Sequence, residues 1–310
     1  MGEKIGNQVE VFYFFPFFYS MQGGMSMMKQ RWIVGLLVFS LVLFMGASIS
    51  LGENIYDKVE KSGIVRVGLM YNSIPAAYFN EKNQWVGFDV DVAEEVVKRI
   101  GGYMGKTLKV ERVKLNNKTR ISFLTSGRID MSTANMTHKR ERDRTIDFSI
   151  TYFFDGQKIL AKKGKYTKHE DFVGKKIASM QGTTSEKNAI NLLKKLGDPN
   201  AEKNVISFQD EPSCFLALKQ GKVAGWSTDS TILIGFSAKE PGKYELVGNF
   251  FSDEPYGMGV PENQSDWRDA INFALQDMWR DGAYMKIYNK WYGPDTPYYF
   301  PMTEKLETWP

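Results

Sequence analysis

The chain is poor in the residues that most enzyme chemistry relies on. Its 310 residues include one cysteine, Cys214, and two histidines, His138 and His169. A lone cysteine forms no intramolecular disulfide and cannot build a thiolate zinc cluster. Two histidines argue against a multi-histidine metal site and against a Ser-His-Asp hydrolase. HED at 169–171 lacks the second histidine of a zincin, and no Walker glycine loop, dinucleotide fingerprint or catalytic carboxylate pair stands at a strand–helix junction. Charge of one sign is scarce as well. The net charge is +4 with bases and acids interleaved, so the footprint for nucleic acid is weak.

What is present falls into a leader and a folded part. MKQR (28–31) is a short basic stretch, followed by the uncharged run IVGLLVFSLVLFM (33–45) and the small residues of GASISLG (46–52). This order predicts a secretory signal peptide over 25–50, cleaved after Ser50 or Gly52. An uncleaved membrane anchor is the alternative, since 32–51 is nearly long enough to span a bilayer. Residues 1–24, with VFYFFPFFY at 11–19, fit neither a signal nor a fold and are read as extraneous upstream sequence.

From residue 54 onward strand-like and helix-like segments alternate, which predicts an α/β fold. IVRVGLM (64–70) reads as a strand, and VDVAEEVVKRIGG (90–102) as a helix with Val92, Ala93, Val96, Val97 and Ile100 on one face. The cycle recurs later, with strands at 175–180, 204–208 and 223–227 and helices over 184–196 and 213–220. Residues 267–293 read as an amphipathic helix pair broken at Gly282. Cys214 falls on the apolar face of its helix, where it is expected to be an inert core thiol. A faint repeat supports two similar halves: Ile121, Leu124, Gly127, Arg128 and Ile129 match Phe215, Leu218, Gly221, Lys222 and Val223 at an offset of 94. Extended, that offset sets Asn135 opposite Asp229, each at the carboxyl end of a strand, where open α/β sheets bind ligands.

Three polar groupings are candidates for chemistry. In ANMTHKRERDRTIDFS (134–149), Asn135 and Thr137 follow a strand and Arg140, Arg142 and Arg144 come next. An arginine fork suits a carboxylate or phosphate, and a solvated charged helix is the alternative. In MQGTTSEKNAINLLKKL (180–196), Thr183 and Glu186 have capping-box spacing, and Thr184 and Ser185 sit at a helix N-terminus. Such an end is either an anion site or an ordinary cap. Asp229 can pair with a ligand ammonium or cap the next helix. Together an arginine, a helix end and an aspartate make the inventory for a zwitterion.

The chain resembles the family 3 solute-binding proteins, the periplasmic amino-acid receptors of ABC importers. The resemblance runs over about 55–293 and rests on GFDVDVAEEV (87–96), LTSGRID (124–130), NMTHKRERDRTIDFS (135–149), GKKIASMQGTTSE (174–186), LKQGKVAGWSTD (218–229), PYGMGVP (255–261) and DGAYMKIYNKWYG (281–293). It implies a type II periplasmic binding protein, two α/β lobes joined by two hinge strands that close on ligand. The implied division is lobe 1 over 54–156 and 250–310, and lobe 2 over 157–249. It also implies that Arg142 holds the ligand α-carboxylate with Thr137, Asn135 and Thr184, that Asp229 receives the α-ammonium, and that Met180 faces the ligand. Lys139 and Arg140 replace the family's usual threonine-proline pair. Ser73 stands where a stacking aromatic is common, with Tyr71 as the substitute.

Arg120, in KTR (118–120), resembles the arginine of the glutamate/aspartate-binding branch that contacts a side-chain carboxylate, whereas Met70 stands where that branch has a second base. The alternative is that Arg120 is paired within lobe 1. The implied ligand is an L-amino acid, glutamate or aspartate first and a polar one such as glutamine second. The expected partners are the free amino acid and an inner-membrane ABC permease, with no nucleic acid, cofactor or metal, for a monomer in the periplasm. An enzyme on the same scaffold, dehydrating prephenate or arogenate, is the rival from another class.

Overall fold

The computed structural model describes residues 54–306. The signal peptide expected over 25–50, the segment 1–24 and residues 307–310 lie outside the described residues.

Asn54 accepts the Tyr56 amide and caps α1 (Ile55–Ser62). The chain continues through β1 (Ile64–Leu69), the small antiparallel sheet of β2 (Asn72–Ser73), β3 (Ala77–Phe79) and β4 (Trp85–Val86), then α2 (Phe88–Tyr103), β5 (Lys109–Lys114), α3 (Arg120–Thr125) and β6 (Met131–Thr133). A long strand, β7 (Asp147–Lys162), leads into β8 (Ile177–Met180), α4 (Thr184–Lys195), α5 (Ala201–Asn204), β9 (Val205–Phe208), α6 (Glu211–Lys219), β10 (Gly225–Asp229), α7 (Ser230–Ser237) and β11 (Tyr244–Val247). The chain returns along β12 (Asp253–Val260) to α8 (Ser265–Arg280) and α9 (Ala283–Tyr292).

The main sheet runs β5-β1-β6-β12-β7-β10-β8-β9, with β11 also on β7. β1 is parallel to β5 and β6, and β8 is parallel to β9 and β10. β7 carries the architecture. Over Asp147–Gly156 it pairs antiparallel with β12, and from Gln157 onward with β10 and β11. The apolar core divides at the same place. One cluster gathers residues from Ile55 to Phe153 and from Tyr256 to Leu306, while two others hold only residues between Ile159 and Val247. The result is two α/β lobes joined by β7 and β12, the fold class expected from the sequence.

Local chemistry explains the elements. On α2, Val92, Ala93, Val96, Val97 and Ile100 are buried, and each of the larger ones stabilises by roughly 1.5–3 kcal/mol relative to exposure. The α8–α9 break falls at Gly282, whose φ of +80° is a left-handed conformation that favours glycine. Cys214 is buried in the second lobe's core, and that burial raises its thiol pKa far above the usual value, as an inert core thiol requires. The charged stretch 140–145 is a turn rather than a helix, and Arg140 and Arg144 are exposed while Arg142 is half-buried. The short helices α1 and α7 and the β2–β4 sheet are not among the elements expected from the sequence.

Candidate functional site

A cavity of about 350 Å³, its solvent-open mouth included, lies between the lobes. Its wall includes Arg120, Asn135, Thr137, Met180, Thr184 and Asp229, drawn from strand ends and helix starts on both sides. Six of the eight residues expected to bind ligand therefore line the cavity. Two expected residues stand elsewhere. Arg142 lies behind the wall, where its Nη1 donates to the Thr137 carbonyl at 2.6 Å. Tyr71 is not part of the lining; its side of the chain is open to solvent (37% exposed), with the Lys114 ammonium 5.7 Å from the ring centre.

The strand–turn–helix at 180–186 folds as its residues dictate. Gly182 adopts φ +72°, the Thr183 hydroxyl accepts the Glu186 amide at 3.4 Å, and the Glu186 carboxylate accepts the Gly182 amide at 2.9 Å. That turn delivers Thr184 and Ser185 to the cavity. Asp229 precedes α7 but its side chain does not cap that helix. It accepts instead from the Tyr256 hydroxyl at 2.5 Å and from the Gln157 amide at 3.1 Å. Burial, with the Glu254 and Asp155 carboxylates nearby, pushes the Asp229 carboxyl up to about 8 against the pull of those two donors. A buried carboxylate held this way gains most from a cationic partner.

Glu254, on β12, occupies a junction. Its Oε2 accepts from Thr137 at 2.5 Å and Thr184 at 3.0 Å, and its Oε1 accepts from Asn188 at 3.1 Å and Ser252 at 2.8 Å. The two threonine hydroxyls that the resemblance assigns to a ligand carboxylate thus already serve an internal one. A hydroxyl has a single proton to donate, so a ligand carboxylate competes with Glu254 for both.

Arg120 is buried, with Nη1 donating to the Ala134 and Asn135 carbonyls at 2.8 and 3.1 Å. Asn135 presents that carbonyl from a left-handed conformation (φ +46°) that asparagine tolerates. Burial first, then the charge of Arg142, pulls the Arg120 guanidinium down to about 9. Its Nε, the Glu211 Oε2 and the Asn135 Oδ1 are buried with no hydrogen-bond partner. Glu211 is among the lining residues that sequence reasoning missed, with Asn117, Thr228 and Ile232. The repeat would have found it, because the same offset of 94 that pairs Asn135 with Asp229 pairs Asn117 with Glu211, and all four line the cavity. Among the described residues no cluster of potential metal ligands occurs, and no helix is long and apolar enough to cross a membrane.

Two lobes on paired hinge strands, with a polar cavity at the strand ends between them, define a ligand-capturing protein that closes on small solutes. Residues 65–294 match the bacterial extracellular solute-binding proteins, family 3, and the chain belongs to that family. It is 38% identical over 211 residues to the glutamine-binding protein of an ABC transporter in Bacillus subtilis, spanning 67% of this chain and 73% of that one. It is 30% identical over 262 residues to an L-glutamate/L-aspartate-binding protein of Pseudomonas aeruginosa, spanning 81% and 85%. Among solved structures, an ancestral arginine-binding protein bound to glutamine aligns with a TM-score of 0.66 at 36% identity, over 74% of this chain and 98% of that one.

Proposed function

We propose that this protein is the extracytoplasmic receptor of an ABC importer, capturing a free L-amino acid between its lobes and presenting it to a membrane permease. The observation that carries the reading is the convergence of an amine acceptor and carboxylate donors from both lobes on one cavity. Asp229 comes from β10, Thr184 from the start of α4 and Thr137 from the segment after β6, with Arg142 behind the wall on the Thr137 carbonyl. The α-ammonium pairs with Asp229. The α-carboxylate takes the field of Arg142 and draws the Thr137 and Thr184 hydroxyls away from Glu254, which keeps Asn188 and Ser252. Lobe 1 comprises 54–156 and 250–306 and lobe 2 comprises 157–249, and the lobes rotate where β7 changes partners at Gly156 and Gln157. The leader at 25–50 exports the chain to the periplasm, where it works as a monomer.

The role is capture rather than catalysis, which agrees with the binding proteins it resembles. A thermal-shift screen of the twenty amino acids tests the reading: one or a few polar L-amino acids should raise the melting temperature while their D-enantiomers do not. No response to any amino acid, together with turnover of prephenate or arogenate to an aromatic product, would replace the receptor reading with an enzymatic one.

A further inference from the structure

We infer that Arg120 and Glu211 form a side-chain subsite that selects a carboxamide, that of glutamine, over the equally sized carboxylate of glutamate. The inference rests on the receptor reading above and names the ligand of that same cavity.

The argument is one of donors and acceptors. Arg120 stands at the start of α3 in the first lobe and Glu211 at the start of α6 in the second, and both line the cavity. Arg120 is 4% exposed and Glu211 1% exposed. Each has one buried polar atom without a partner, Nε on the arginine and Oε2 on the glutamate. Such atoms cost about 1–3 kcal/mol each when left unpaired, so the pair favours a ligand group that satisfies both. A guanidinium only donates and an ionised carboxylate only accepts. The group between them must therefore accept on one side and donate on the other. A carboxamide does both: its oxygen accepts from Arg120 and its nitrogen donates to Glu211. The glutamate side chain accepts only and sets like charge against Glu211. An arginine ligand donates only and sets like charge against Arg120. Met70, Met180 and Ile232 supply apolar wall for the methylenes. Met70 also leaves the site without the second base that a dicarboxylate would favour.

The charges facing Glu211 are Arg120 across the cavity, Asp229 from β10 and Asp210 on its own element, with the Cys214 thiol one turn along. Burial first, then Asp229, raises the Glu211 carboxyl to about 8. Below that pH it holds a proton and can donate to a glutamate carboxylate; above it the proton is gone. Discrimination against glutamate should therefore grow as pH rises through 8, by about tenfold per pH unit beyond it. The ratio of the two affinities cancels what both ligands share at Asp229 and at the α-amino group.

Titration calorimetry of the purified protein with glutamine, glutamate and arginine at pH 6.5 and pH 9 tests this, with Glu211→Gln alongside. Glutamine should bind tightest at pH 9, with an advantage over glutamate about tenfold larger than at pH 6.5. In Glu211→Gln, whose amide can donate at any pH, the ratio should lose the pH dependence that Glu211 imparts, and glutamate should gain at pH 9. Glutamate binding as tightly as glutamine at pH 9, a wild-type ratio indifferent to pH, or arginine binding tightest would each overturn the inference while leaving an amino-acid receptor. Binding of no amino acid would overturn the receptor reading and the inference with it. The wild-type pH comparison stands even where the variant does not fold.

Discussion

The two ends of the cavity are built on opposite principles. At the hinge end the buried polar atoms answer one another: Glu254 takes donors from Thr137, Thr184, Asn188 and Ser252, and Asp155 takes the amide and hydroxyl of both Ser230 and Thr231. At the far end Arg120 Nε, Glu211 Oε2 and Asn135 Oδ1 answer nothing. A satisfied network fixes geometry, whereas unpaired buried groups favour whatever completes them. The hinge end can therefore hold the part common to all amino acids while steadying closure, and the far end can read the side chain.

The largest effects should come from breaking the common part. Arg142→Ala is expected to weaken amino-acid binding by about 1–3 kcal/mol, since the Thr137 carbonyl loses its charged donor and the ligand carboxylate loses the guanidinium's field, as calorimetry would record. Asp229→Asn should weaken it comparably and change stability in the opposite sense. The folded Asp229 carboxyl is raised to about 8, against about 3.9 unfolded. The folded chain thus holds a proton that the unfolded chain gives up, and stability falls as pH rises from about 4 through 8. Asp229→Asn lacks that loss, so its melting temperature should rise relative to wild type between pH 5 and pH 9.

Closure comes next. A Cβ placed on Gly235 in α7 would sit 1.9 Å from the Ile74 carbonyl oxygen of the opposite lobe. Gly235→Ala should cost roughly 1–3 kcal/mol of affinity in calorimetry, because the lobes must shift to clear the added carbon. A smaller effect of opposite sign is expected at Glu254. If it competes for the threonine hydroxyls, Glu254→Gln should tighten binding by about 1 kcal/mol, and weakened binding would mean that the network is needed intact. Tyr71→Ala should change affinity by less than about 0.5 kcal/mol, because the ring lies outside the lining. A larger loss would return Tyr71 to the site.

The sequence foretold the hinge end better than the far end for a physical reason. Thr183 and Glu186 announce their helix start through spacing, and Asp229 sits at a strand end that periodicity alone locates. Glu211 reads as one acid in a polar turn before a helix. Its burial across the cavity from Arg120 depends on how two lobes meet, which no local pattern records. Glu254 was hidden likewise, because a lone acid before PYGMGVP shows nothing of the four donors that converge on it. The switch of β7 from one lobe to the other follows from pairing with distant strands and is invisible in the run DFSITYFFDGQKILAK.

The most direct test is a crystal structure of the protein grown with saturating glutamine. The account predicts the α-ammonium on Asp229, the α-carboxylate on Thr137 and Thr184 beside Arg142, and the amide between Arg120 and Glu211. A ligand lying the other way round, with its α-carboxylate on Arg120, or one bound outside this cavity, would contradict it.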